Sequence, residues 1–246
     1  MTKRQKFVIS SLVLAGGFFG IQFVDFDFRY PAIVGLIVIS AILTTWSLWG
    51  GLGRNATLLT LILPSFFTAG VGLFWFLLPS TILTRVPILA LYALGIYALL
   101  LTSNIYSVAA ARTIALLRAA HAVGFLLTLL TSFLLFDTVL SLRGDFWLNG
   151  GAAGLLAFPL LLQGFWSIEL EQKITSLVLQ LSVVFALVVG ELAAILSFWP
   201  VTVPVGALAL TTVVYVGLGL GQAKLQGRLF ERTVKEYLLV GLIVFI

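Results

Sequence analysis

The chain has 246 residues, 61% of them hydrophobic and 9% charged, with a net charge of +5, one histidine and no cysteine. A soluble domain carries roughly 25% charged residues, so this chain lacks the charge to clothe a water-facing surface. The missing cysteines remove disulfides, thiolate metal sites and cysteine nucleophiles, and a single histidine argues against multi-histidine metal or bis-histidine haem centres.

Apolar runs at 7–24, 30–49, 57–78, 87–103, 119–139, 147–167, 175–198 and 204–221 each supply about the 20 residues that cross a bilayer as a helix. Open strands would leave unpaired backbone groups in lipid, and the alternation of an outer-membrane barrel is missing from these runs. The expected fold is therefore all-α: a polytopic bundle of eight spans over residues 1–221, with a partial ninth beyond. The start Lys3-Arg4-Gln5-Lys6 looks like a signal-peptide n-region, but the apolar run after it is long and no small-x-small cleavage site follows, so it reads as a retained signal anchor.

With the N-terminus in the cytoplasm, the inner loops hold Lys3, Arg4, Lys6, Arg54, Arg112, Arg118, Lys173, Lys224, Arg228, Arg232 and Lys235, and the outer ones only Arg29, Arg85 and Arg143. Eleven cations inside against three outside obey the positive-inside rule. The cations thus sit in loops rather than in a basic patch with aromatic platforms, and a nucleic-acid partner is not expected. Interfacial aromatics mark the same boundaries: Phe26, Phe28 and Tyr30 outside, Trp46 and Trp49 inside, Phe198 and Trp199 outside. The glycine-rich stretch Gly50-Gly51-Leu52-Gly53-Arg54 lacks the lysine and hydroxyl of a phosphate-binding loop and reads as a tight inner turn.

Three small-x-x-x-small pairs, Gly16 with Gly20, Gly150 with Gly154 and Gly217 with Gly221, are expected to let helix backbones approach closely. The segment from Val86 to Leu91 resembles that from Val203 to Leu208, and Ala111-Arg112-Thr113-Ile114 resembles Glu231-Arg232-Thr233-Val234. An offset of about 117 residues spans four helices, so a repeat of this kind would be parallel. Residues 222–246 form a second region: a basic amphipathic cytoplasmic segment suited to the interface, leading into an apolar run too short to cross. That run reads either as the first half of a truncated ninth helix or as an interfacial or re-entrant tail.

Zincin, nucleophile-elbow and phosphate-loop motifs, and paired intramembrane aspartates, are all missing from the sequence. Neither an enzyme nor a catalytic residue, metal or cofactor is expected; a retinal protein would need a lysine deep in its last full helix, and Lys224 sits at the end of the eighth. Glu191 is the first functional candidate, because an ionised carboxylate within a span is costly unless paired, hydrated or protonated. Its two readings are a proton or cation site and a protonated carboxyl bonded to a neighbouring helix. Arg118 and His121 share a helix face, where His121 could shuttle protons or both could reach lipid phosphates, with Asn104 and Tyr106 nearby. Asp137 could pair with Arg143 or approach Glu191. Gln163 and Gln180 are candidates for interhelical hydrogen bonds.

The stretch NIYSVAAARTIALLRAAHAVGFLL, Asn104 to Leu127, resembles a segment of uncharacterised multi-pass membrane proteins of candidate-phylum bacteria. The resemblance implies a location in the bacterial cytoplasmic (inner) membrane and assigns no residue roles. The functional expectation is a small transporter or permease-like bundle using Glu191. Its alternative is a structural or assembly subunit of a membrane-envelope complex, whose partners would be the lipid bilayer and other membrane subunits.

Overall fold

The computed structural model describes residues 2–49, 54–78, 82–110, 115–171 and 173–245. Among these residues the chain is all helix, without strands: α1 (Lys3–Ile21), α2 (Arg29–Leu48), α3 (Arg54–Trp75), α4 (Ile82–Ala109), α5 (Leu117–Ser141), α6 (Phe146–Glu169), α7 (Ser176–Leu196), α8 (Val203–Leu225) and α9 (Glu231–Phe245). Each of the eight apolar runs has become a helix. Seven of them, α2 to α8, are long and apolar enough to cross a membrane. α1 differs because Lys3, Arg4 and Lys6 lie inside the helix, in its first turn, started by a Thr2 capping box with Gln5. The glycine-rich turn at 50–53 and the segment 111–114, with Arg112, lie outside the described residues.

The chain divides into two compact units, Met1–Leu127 and Thr128–Ile246, with the boundary inside α5. In the first unit α1 packs on both α2 and α4, and α3 on α2 and α4. Its core is aromatic: Phe18 of α1 meets Trp75 edge-on at 5.6 Å and Tyr92 at 5.1 Å, and Tyr92 stacks on Phe67 at 5.9 Å. Hydroxyls fill the remaining interior. Ser10 and Ser47 share a hydrogen bond of 2.8 Å, and Thr68 joins Tyr92 at 3.1 Å while donating to the Pro64 carbonyl at 2.8 Å. In a bilayer every such group needs an internal partner, and short hydroxyls supply one without widening the helix spacing.

In the second unit α6 and α7 pair most extensively, α8 packs on both, and α9 folds back antiparallel along α8. Tyr237 lies against Gly219, and a Cβ at Gly241 would stand 3.1 Å from Val216. The expected amphipathic run from 222 is instead divided. α8 continues to Leu225, Gly227 turns the chain at φ +67°, and α9 begins at Glu231. Its first turns carry the i,i+4 pairs Arg232–Glu236 at 2.9 Å and Lys235–Glu231 at 3.8 Å, and the turns after Tyr237 are apolar.

The glycine pairs sort by what faces them. Among the described residues a Cβ at Gly16 or Gly20 meets nothing within 4 Å, and it is Gly17 whose Cβ would reach Leu36 of α2 at 2.8 Å. The expected close approach at Gly16 and Gly20 is therefore corrected by one helix position, which turns the contact by about 100° around the axis. Gly217 and Gly221 receive the rings of Phe185 and Phe165 rather than another backbone. Gly150 and Gly154 do seat a backbone.

Candidate functional site

On α6, a Cβ at Gly150 would lie 2.8 Å from the Gly190 carbonyl oxygen of α7, and one at Gly154 would lie 3.1 Å from that of Ala186. Reciprocally, a Cβ at Gly190 would lie 2.9 Å from the Gly150 carbonyl oxygen. The two backbones thus touch along Gly150-x-x-x-Gly154 and Ala186-x-x-x-Gly190, which holds the helices close where larger side chains would part them. Asn149 locks the register. Its side-chain amide donates to the Gly144 carbonyl and to Ser197 Oγ, both at 3.0 Å, fastening the start of α6 to the end of α7. Asn149 is buried, so Asn149→Ala is expected to cost about 1–3 kcal/mol, read as a lower unfolding midpoint of the purified protein.

The close approach sinks the line between the two helices below the flanking side chains and leaves a groove of about 550 Å³ along their outer side. Gly151 and Gly154 of α6 line it beside Gly190 of α7; Trp147, Leu155 and Phe158 stand along one wall and Val183 and Leu187 along the other. The polar group in this apolar lining is Glu191. Its side chain is exposed to the groove, and among the described residues no hydrogen bond or ion pair reaches its carboxylate. From Phe146 to Phe158 the groove runs about 18 Å, and from Val183 to Ala194 about 17 Å, at 1.5 Å per residue. Beyond Phe158 it stops: residues 160–167 of α6 are buried in unbroken succession.

The other candidates are dispersed. In the first unit His121 is half-buried with its ring 5.7 Å from Tyr106, whose hydroxyl donates to the Ala120 carbonyl at 3.0 Å. Arg118, one turn earlier, is exposed, and Asn104 accepts from Lys3 at 3.3 Å. Tyr106 therefore joins His121 and Asn104 does not. In the second unit Asp137 is buried in α5 with Oδ1 lacking a hydrogen-bond partner among the described residues. Arg143 is exposed, in a turn where its φ is +49°, and no ion pair joins the two. Asp137 does not line the Glu191 groove, so the expected pairings of Asp137 are both absent there. Gln163 is buried with Oε1 unpartnered among the described residues, and Gln180 is exposed; the bridge between α8 and α6 comes instead from Gln222, donating to the Gly164 carbonyl at 3.1 Å.

Sequence reasoning found Glu191 and the Gly150–Gly154 pair separately. It missed that one builds the setting of the other, and it missed Gly151, Asn149 and Trp147. The spacing of Glu191 one residue after Gly190 was the available signal, since a residue next to a helix contact sits on its flank.

Together these features define, among the described residues, an all-α fold with seven helices long and apolar enough to cross a membrane and a carboxylate-bearing groove on the outer side of one helix pair. The chain belongs to the family described as Protein of unknown function (DUF5656), whose model matches residues 9–246. Neither a curated protein nor a solved structure matches it.

Proposed function

We propose that the chain is a small permease-like membrane protein that takes an amphipathic ligand sideways from the bilayer, with Glu191 as the polar group of its binding groove. The observation that carries this reading is the exposed, unpartnered carboxylate set in an otherwise apolar groove. A groove that opens to lipid and is closed near the middle of its helix pair fits the one-side-open state of an alternating-access carrier. In this reading the protein has eight spans with its N-terminus in the cytoplasm of a bacterium, and α6 enters from the outer face of the inner membrane. The structural-subunit alternative draws on Gly16 and Gly20, whose open faces on α1 would admit another helix.

The test is movement. Vesicles containing the protein and a fluorophore-tagged alkylamine are treated with a membrane-impermeant reductant, which bleaches only probe in the outer leaflet. The protein is expected to let the inner pool bleach several-fold faster than protein-free vesicles, and Gly151→Leu, which fills the groove from an open position, to return the rate to that baseline. Protein and protein-free vesicles bleaching alike would overturn the permease reading.

A further inference from the structure

The groove has a length, a closed end and a charge, and together they specify an occupant. At about 17–18 Å it matches one leaflet of a ~30 Å hydrocarbon core, not the whole of it. A transmembrane helix from a partner would need a continuous seam along α6 and α7, but past Phe158 the α6 surface is buried residue after residue. What fits a half-membrane slot opening at an aromatic rim is an extended acyl chain. The rim residues Phe146 and Trp147 are exposed at the first two positions of α6, where aromatic rings belong at headgroup level.

Glu191 lies five residues short of the last residue of α7, about 8 Å from that end, and shares the groove wall with Ala194 opposite Trp147 and Gly151. Its carboxylate therefore stands about 4–5 Å inside the outer end of the slot at Ala194, above an apolar stretch of about 12 Å that runs to Val183, where the head of a lipid whose chain lies along that stretch would sit. A carboxylate repels an anionic head. It accepts charge-assisted hydrogen bonds from a primary ammonium, which carries three N–H donors, but none from a quaternary ammonium, which carries no N–H.

We infer that the groove between α6 and α7 binds one aminophospholipid, its acyl chain along the glycine-lined slot and its ammonium on Glu191, drawn from the leaflet at the N-terminal end of α6. The inference rests on the lateral-groove reading above and names its ligand class.

The experiment is native mass spectrometry of the purified full chain, delipidated and then offered phosphatidylethanolamine, phosphatidylcholine or phosphatidylglycerol of identical acyl chains. One phosphatidylethanolamine is expected to stay bound at energies that strip the other two, with retention falling about tenfold in Glu191→Gln and in Gly151→Leu. Equal retention of all three lipids, lost in Gly151→Leu but unchanged in Glu191→Gln, would overturn the headgroup assignment and leave the groove reading standing. Retention indifferent to Gly151→Leu would overturn both. A copurifying polypeptide released by Glu191→Gln, in place of lipid, would also overturn the inference.

Discussion

Replacing Gly150 by leucine is expected to part α6 from α7 and lower the midpoint of thermal unfolding in lipid discs by roughly 10 °C. The same change one residue on, at Gly151, is expected to leave the midpoint unchanged or raise it slightly. Even the Cβ of a new side chain at Gly150 would stand 2.8 Å from the Gly190 carbonyl oxygen and 3.1 Å from the Cβ of Ala194. Backbone cannot rotate away as a flexible side chain does, so the helices must separate, and overpacking of this kind costs about 3 kcal/mol. At Gly151 a Cβ meets nothing within 4 Å, while leucine is a better helix former than glycine by roughly 1 kcal/mol. The pair of variants is scored by the difference between them. Equal losses at both positions would mean that the two helices do not meet along Gly150 and Gly154.

The helices were legible because a backbone in lipid has so few ways to satisfy itself. The span 87–103 expected for the fourth helix falls short at both ends: α4 runs Ile82–Ala109, through Pro87 and the polar run Thr102-Ser103-Asn104. Pro87 lies inside that helix, where it removes one i→i−4 hydrogen bond without ending the helix. The serines and threonines of such runs fold back on their own helix, as Ser107 does in donating to the Asn104 carbonyl at 2.9 Å. The basic segment from 222 reads as one continuous run, whereas α9 starts at Glu231. The cations between Gln222 and Lys235 share a helical period, but Gly227 in a left-handed conformation interrupts it.

The site was legible only in parts, since a groove is a relation between two helices and no single run records it. Glu191 stood out as an acid in an apolar run, and Gly150 and Gly154 as a spacing. That the glycines of α6 would find Ala186 and Gly190, setting the carboxylate on the flank of the contact, depends on the pairing of α6 with α7. Asp137 shows the converse. Sequence separation from Arg143 suggested an ion pair, but α5 buries the acid while the turn at Arg143 leaves the cation exposed.

Glu191→Leu is expected to make the protein more stable and to abolish its ligand binding. An acidic or basic side chain at mid-membrane costs about 2.5–3.5 kcal/mol on insertion scales, with less toward an interface. Glu191 lies about 8 Å from the end of α7, so relief of roughly 1–2 kcal/mol is expected, or about 5 °C in the unfolding midpoint of delipidated protein. A leucine there also continues the apolar wall formed by Val183 and Leu187. A residue that costs stability in the empty protein is kept for what it binds, which is the trade-off common to binding sites. The competing account of Glu191, a protonated carboxyl holding a neighbouring helix, requires the opposite sign: removing it would strand its partner and lower the midpoint. Unfolding curves of Glu191→Leu and Glu191→Gln, recorded with and without added phosphatidylethanolamine, separate the two. Stabilisation by the lipid in wild type alone, over a higher baseline in Glu191→Leu, is the binding-site result; a fall of several degrees in both variants without lipid would make the carboxyl a structural tie.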